Sequence, residues 1–107
     1  MIEKLTAFKT SLTEIQPMLV SFEANYHLSA AVTSLSNLKG FQDETERNHH
    51  LFPIVLKALR YVMWHEVKEL NRQTNLSSKE NHQALLKLNK LFLEFKTFAE
   101  ENGYNEI

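Results

Sequence analysis

Ala84-Leu-Leu-Lys-Leu-Asn-Lys-Leu-Phe-Leu-Glu-Phe-Lys-Thr-Phe-Ala99 is the stretch that decides the fold. Ala84, Leu85, Leu88, Leu91, Phe92, Phe95 and Ala99 recur at steps of three and four, the spacing of one helix face. Ser77 and Glu80 have capping-box spacing ahead of this stripe, and Asn102-Gly103 closes it. A helix is therefore predicted over 78–101.

Working back along the chain, Phe52, Val55, Leu56, Leu59, Met63 and Leu70 share a narrow arc and predict a helix over 52–71. The polar residues 41–51 precede it. Asp43 and Glu46 have the shape of another capping box, so a helix starts there and meets Pro53 as a kink. Alternatively, 41–51 is a loop and Pro53 opens the helix. Ile2, Leu5, Phe8, Leu12 and Ile15 predict a first helix over 2–16, and Pro17 either stops it or sits in the first turn of the next. Met18, Phe22, Tyr26, Leu28, Val32, Leu35 and Leu38 give a less regular stripe over 18–39. Ser29, Thr33, Ser34 and Ser36 weaken it enough to allow a break near Asn25–Ser29, and Gly40 suits the position past its end.

No stretch alternates with period two, and no repeat or linker divides the chain. The expectation is one all-α domain over 1–107, an up-and-down bundle of four helices with the third most buried. With 107 residues and 43% apolar composition the chain can bury a core of its own. It has no cysteine, which excludes a disulfide scaffold and a thiol nucleophile. No apolar run approaches the roughly 20 residues of a membrane span, and Met1–Leu12 lacks a secretory apolar core. A cytoplasmic protein is expected.

The formal charge is −1, and each third of the chain is close to neutral: three Lys against three Glu in 1–40, five basic against five acidic residues in 41–72, four Lys against five Glu in 73–107. Phosphate neutralisation needs clustered Lys and Arg, so nucleic acid is not the expected partner.

A bundle helix needs one apolar stripe, yet Leu51–Trp64 is apolar nearly all round, with Ile54, Tyr61 and Trp64 opposite the core arc. On the last helix Leu86 and Leu93 lie opposite the core stripe, one heptad apart, with His82 beside them. Large exposed aromatics anchor interfaces, so Tyr61, Trp64, Leu86 and Leu93 are the expected contact surface, with Trp64 as anchor. Glu66 falls about 20° from Leu59 on the wheel, inside the core arc. The expectation is that it lies near the edge of the core and reaches solvent or a lysine; a proton-transfer role is the alternative.

His65 and Glu69, four apart on one helix face, are a usable metal pair. His49 and His50 diverge by about 100° and do not share an ion easily. Glu46-Arg-Asn-His49 is the one Glu-x-x-His pair, where a di-iron bundle needs two. His65-x-x-x-Glu69 with Leu51-Phe52-Pro53 resembles hemerythrin-like bundles over about twenty residues. The further ligands which that resemblance implies are not supplied by His27 and His82 at the expected spacing. Arg60-Tyr-Val-Met-Trp-His65 is similar in its Arg-x4-His spacing to HEPN-family ribonucleases. The resemblance implies a phosphate-holding Arg60 and an RNA-cleaving His65 in a dimer of small helical bundles; Tyr61 departs from the polar residue that family favours after the arginine.

No Gly-rich phosphate loop, nucleophile elbow or His-Glu-x-x-His motif occurs. The expectation is a small, cofactor-free, non-enzymatic protein-binding bundle. An inhibitor, immunity or adaptor protein of bacterial or phage type fits, binding a protein partner or itself as a homodimer. An RNA-cleaving bundle using Arg60 and His65 and a metal-binding bundle are the alternatives.

Overall fold

The computed structural model describes residues 2–72 and 79–105. Four helices form: α1 Ile2–Ile15, α2 Phe22–Ser36, α3 Glu44–Arg72 and α4 Lys79–Glu101. No strand occurs among the described residues. α1 packs on α2, α2 on α3, α3 on α4 and α4 on α1, the closed ring of an up-and-down bundle. α3 has 29 residues, about 44 Å at 1.5 Å per residue, and so sets the long dimension of a molecule measuring 49 × 24 × 19 Å.

Pro17 stops α1. The chain leaves Ile15 through a single 3₁₀ turn, Gln16–Met18, and becomes extended at Leu19. Gln16 then clasps the next helix: its Nε2 donates to Asn25 Oδ1 at 3.0 Å and to Ser29 Oγ at 2.6 Å, and Asn25 Nδ2 donates back to the Gln16 carbonyl at 3.3 Å. Those bonds tie Asn25 and Ser29 into a continuous helix, so the break allowed there by propensity does not occur.

α2 is shorter than the predicted 18–39 at both ends. Ser21 is its N-cap, its Oγ accepting from the Ala24 N–H at 3.1 Å. The helix ends at Ser36, and Gly40, at φ +95°, belongs to the connection beyond. Its buried face is Ala24, Leu28, Ala31 and Leu35, whereas Phe22 and Tyr26 are exposed. The spacing of these four residues sets the phase, and the two alanines let α2 lie close against α3.

α3 begins at Glu44 rather than Phe52. Asp43 Oδ1 accepts from the Glu46 N–H at 2.8 Å, and Glu46 Oε2 accepts from the Gln42 N–H at 2.8 Å. This reciprocal arrangement starts the helix early. α3 then runs through Pro53 unbroken. Proline has no N–H for the His49 carbonyl, and the defect is tolerated where His49 is solvent-exposed.

The core centres on α3 and α4. Phe95 meets Phe8 edge-on at 5.0 Å and Phe52 at 5.7 Å, and Phe98 meets Phe52 at 5.9 Å. α4 closes with a Schellman arrangement: Tyr104 N–H donates to the Ala99 carbonyl and Gly103 N–H to that of Glu100, with Gly103 at φ +90°. Tyr104 is thereby laid on Phe52 at 6.1 Å. The Ser77–Glu80 capping box falls outside the described residues.

Glu66 is fully buried, not at the edge of the core. Both carboxylate oxygens accept from the Val20 N–H, at 3.1 and 3.0 Å, and Oε1 also accepts from the Ser21 N–H at 2.9 Å. A carboxylate is acceptor-only when ionised, and the amides leading into a helix are donors in need of acceptors. The positive end of the α2 dipole adds to the attraction. Glu66 therefore pins the start of α2 to the inner face of α3. Glu66→Ala, which strands two buried amides, is expected to lower the unfolding free energy by about 2–4 kcal/mol in urea titration. Glu66→Gln, which keeps one acceptor oxygen, is expected to cost less than half as much.

Candidate functional site

Lys57, Tyr61, Trp64 and Lys68 step by four, three and four along α3, on the side turned away from Leu59. Trp64 is 58% exposed and Tyr61 43%. The His27 imidazole of α2 lies between two α3 rings, stacked on Tyr61 at 5.0 Å and on His65 at 5.2 Å, nearly parallel to the latter. Tyr26 meets His27 edge-on at 5.5 Å, and Trp64 meets His65 edge-on at 4.8 Å. Lys57 Nζ sits 5.9 Å from the Tyr61 ring centre and Lys68 Nζ 5.0 Å from that of Trp64. Five rings thus form one surface across the α2–α3 seam, with an ammonium at either end.

Each ring is placed by the fold beneath it. Tyr61 and His65 are four apart, so they stand on one face of α3 with room for a ring between them. His27 enters that gap because Ser21 and Val20 are held by Glu66, which fixes the height of α2 along α3.

Leu86 and Leu93 are exposed on the outside of α4, as expected. They do not join the aromatic surface. Leu93 borders a recess with Lys4 and Glu94, on the α1 side of α4. The α4–α1 edge lies across the ring from the α2–α3 edge, so the single contact surface expected from the sequence is two surfaces.

The other candidate groups take separate places. Arg60 lies over the Phe92 ring of α4 at 5.1 Å, whereas His65 stacks on α2. The two residues of the Arg-x4-His spacing stand on opposite flanks of α3 and do not converge within one copy. Glu69 is held by Arg72, whose Nη2 donates to Oε1 at 2.7 Å and whose Nε donates to Oε2 at 3.1 Å. That bidentate hydrogen bond and the charge of Glu69 raise the Arg72 guanidinium above its ordinary value. Glu46 is occupied by the Gln42 amide, and His49 is exposed. Among the described residues no three His, Asp or Glu side chains come together so as to hold a metal ion. A recess of about 460 Å³ beside the ring stack is lined by His65, Lys68, Glu69 and Arg72 against the start of α2.

Compared with known proteins, the chain matches no family model, no curated protein and no solved structure. Among the described residues no helix is long and apolar enough to cross a membrane.

His27 and Tyr26 are the site residues that sequence reading missed. The signal was present in the 24-28-31-35 spacing of Ala and Leu, which turns Tyr26 outward and sets His27 at the seam. Exposed side chains away from caps and cores contribute little to stability. Trp64→Ala is therefore expected to change the unfolding free energy by under about 1 kcal/mol in urea titration. Phe95→Ala, in the core, is expected to cost about 3–5 kcal/mol.

Proposed function

We propose that the protein is a non-enzymatic protein-binding bundle, of the inhibitor, immunity or adaptor kind, acting through the α2–α3 face with Trp64 as its anchor. The observation that carries this reading is the ring stack of Tyr61, His27 and His65, bordered by an exposed indole. Trp and Tyr are enriched at the centres of interfaces, because one rigid ring covers much apolar area. Here the rings hold one another in place before any partner arrives, which reduces the ordering cost of association.

Charge narrows the partner. Between Lys57 and Lys68 the one acidic residue of α3 is the buried Glu66, and α2 has no acidic residue after Glu23. The face is cationic at both ends and aromatic between them. It suits a protein surface that offers an apolar or aromatic knob flanked by carboxylates.

Affinity capture with the immobilised protein tests this. A discrete protein is expected to be retained by the wild type and by Leu86→Asp and lost with Trp64→Asp, with helix content unchanged by circular dichroism. The same protein retained equally by Trp64→Asp would overturn the assignment of this face.

A further inference from the structure

Two members of the ring stack on the α2–α3 face are imidazoles. His27 and His65 come from different helices, are both half-buried, and lie ring over ring at 5.2 Å with 11° between their planes. Imidazole is the side chain that ordinarily passes from neutral to cationic within the physiological pH range.

A single charge fits this stack. An imidazolium at His27 lies between the Tyr61 ring, 5.0 Å away and inclined by 24°, and a neutral His65 ring, and an aromatic face attracts a cation. A second charge does not fit. Two imidazolium rings 5.2 Å apart in a half-buried seam repel, and water screens them only in part.

The groups around the pair do not relieve that repulsion. On α3, Lys57 and Lys68 stand over the Tyr61 and Trp64 rings and add positive charge at both ends, and Arg72 lines the recess beside His65. Among the carboxylates, Glu66 is bound by the Val20 and Ser21 amides, and Glu69 by the Arg72 guanidinium. Glu23 of α2, one turn before His27, accepts from the Ser21 hydroxyl at 3.3 Å; its one negative charge answers one imidazolium and not two. Tyr26 and Tyr61 are phenols, which as a class ionise far above neutrality. The recess is lined by residues 20–23 and by α3, with no charged group of α1 or α4 among its lining.

We propose that His27 and His65 form a proton switch for the α2–α3 face: with at most one ring charged the stack stands and supports Trp64, and with both charged the rings part. The switch rests on reading this face as the binding surface and supplies its regulation. Association is favoured near neutral pH and weakened in acid, because the partner then has to order rings that the stack no longer holds.

Solution NMR on the protein alone is the test, so a failed capture experiment leaves it standing and its own failure leaves the capture experiment standing. Nuclear Overhauser contacts from the ring at position 27 to those of Tyr61 and residue 65 are followed from about pH 7.5 to about pH 5, the range over which imidazole ordinarily takes its proton. Circular dichroism checks that helix content is constant. The wild type is expected to show both contacts at the upper pH and to lose them at the lower. His27→Phe and His65→Phe each keep a ring in place and leave one imidazole to charge, and both are expected to retain the contacts throughout. A variant that lacks the contacts at the upper pH is misassembled, and the other then decides. Wild-type contacts that persist at about pH 5 overturn the proposal. So does their loss in a correctly assembled single variant, which would show that one charge is enough or that the pair is not the cause.

Discussion

The hydrogen bonds that the Val20 and Ser21 amides donate to Glu66 determine where α2 stands on α3. Apolar packing alone leaves a helix free to slide by a turn along its neighbour, since leucines and alanines repeat every turn. A buried carboxylate with two specific donors does not allow that freedom, because a slipped register strands all three groups. With the start of α2 fixed, the Ala24–Leu35 face meets the core, and His27 reaches the gap between Tyr61 and His65. The aromatic surface is thus held from behind, by a residue adjacent in sequence to one of its own rings.

α3 carries two structures back to back. Its inner side supplies Phe52, Val55, Leu56, Leu59, Val62 and Glu66 to the core, all essentially inaccessible to solvent. Its outer side supplies Tyr61, Trp64, Lys57 and Lys68. A helical bundle gains little stability from aromatics on its outside, and an uncovered patch of rings invites association. The lysines over Tyr61 and Trp64 keep charge on that patch. On α4 the exposed Leu86 and Leu93 are bordered by Lys87, Lys90 and Glu94.

Much of this was legible in the sequence. The four helices follow from stripes at steps of three and four, and α1 and α4 were placed within a residue or so of where they lie. Tyr61, Trp64, Leu86 and Leu93 were correctly turned outward by the wheel. At the start of α3 the sequence leaves two readings open, and the Asp43–Glu46 cap prevails over the helix opening at Pro53, because a helix can lose one hydrogen bond on its exposed side. In α2 the bulky Phe22 and Tyr26 complete the apolar stripe of the sequence, yet the small Ala24 and Ala31 are the buried residues, because close approach to α3 selects small side chains. Glu66 was placed correctly within the core arc, but its partners are backbone amides 45 and 46 residues earlier, which no pattern of side-chain types records. The division of the contact residues into two faces needed the ring order of the helices, which is a property of the bundle and not of any one stripe.

Amide hydrogen exchange at Val20 and Ser21 tests the central claim most directly. These residues precede α2, where backbone amides exchange quickly unless something other than the helix binds them. Donation to a buried carboxylate predicts slow exchange at both, comparable to the core of α3, while the first-turn amides of Phe22 and Glu23 exchange fast. In Glu66→Ala that protection is expected to disappear from Val20 and Ser21 under conditions in which α3 stays protected. Fast exchange at Val20 and Ser21 in the wild type would contradict the account.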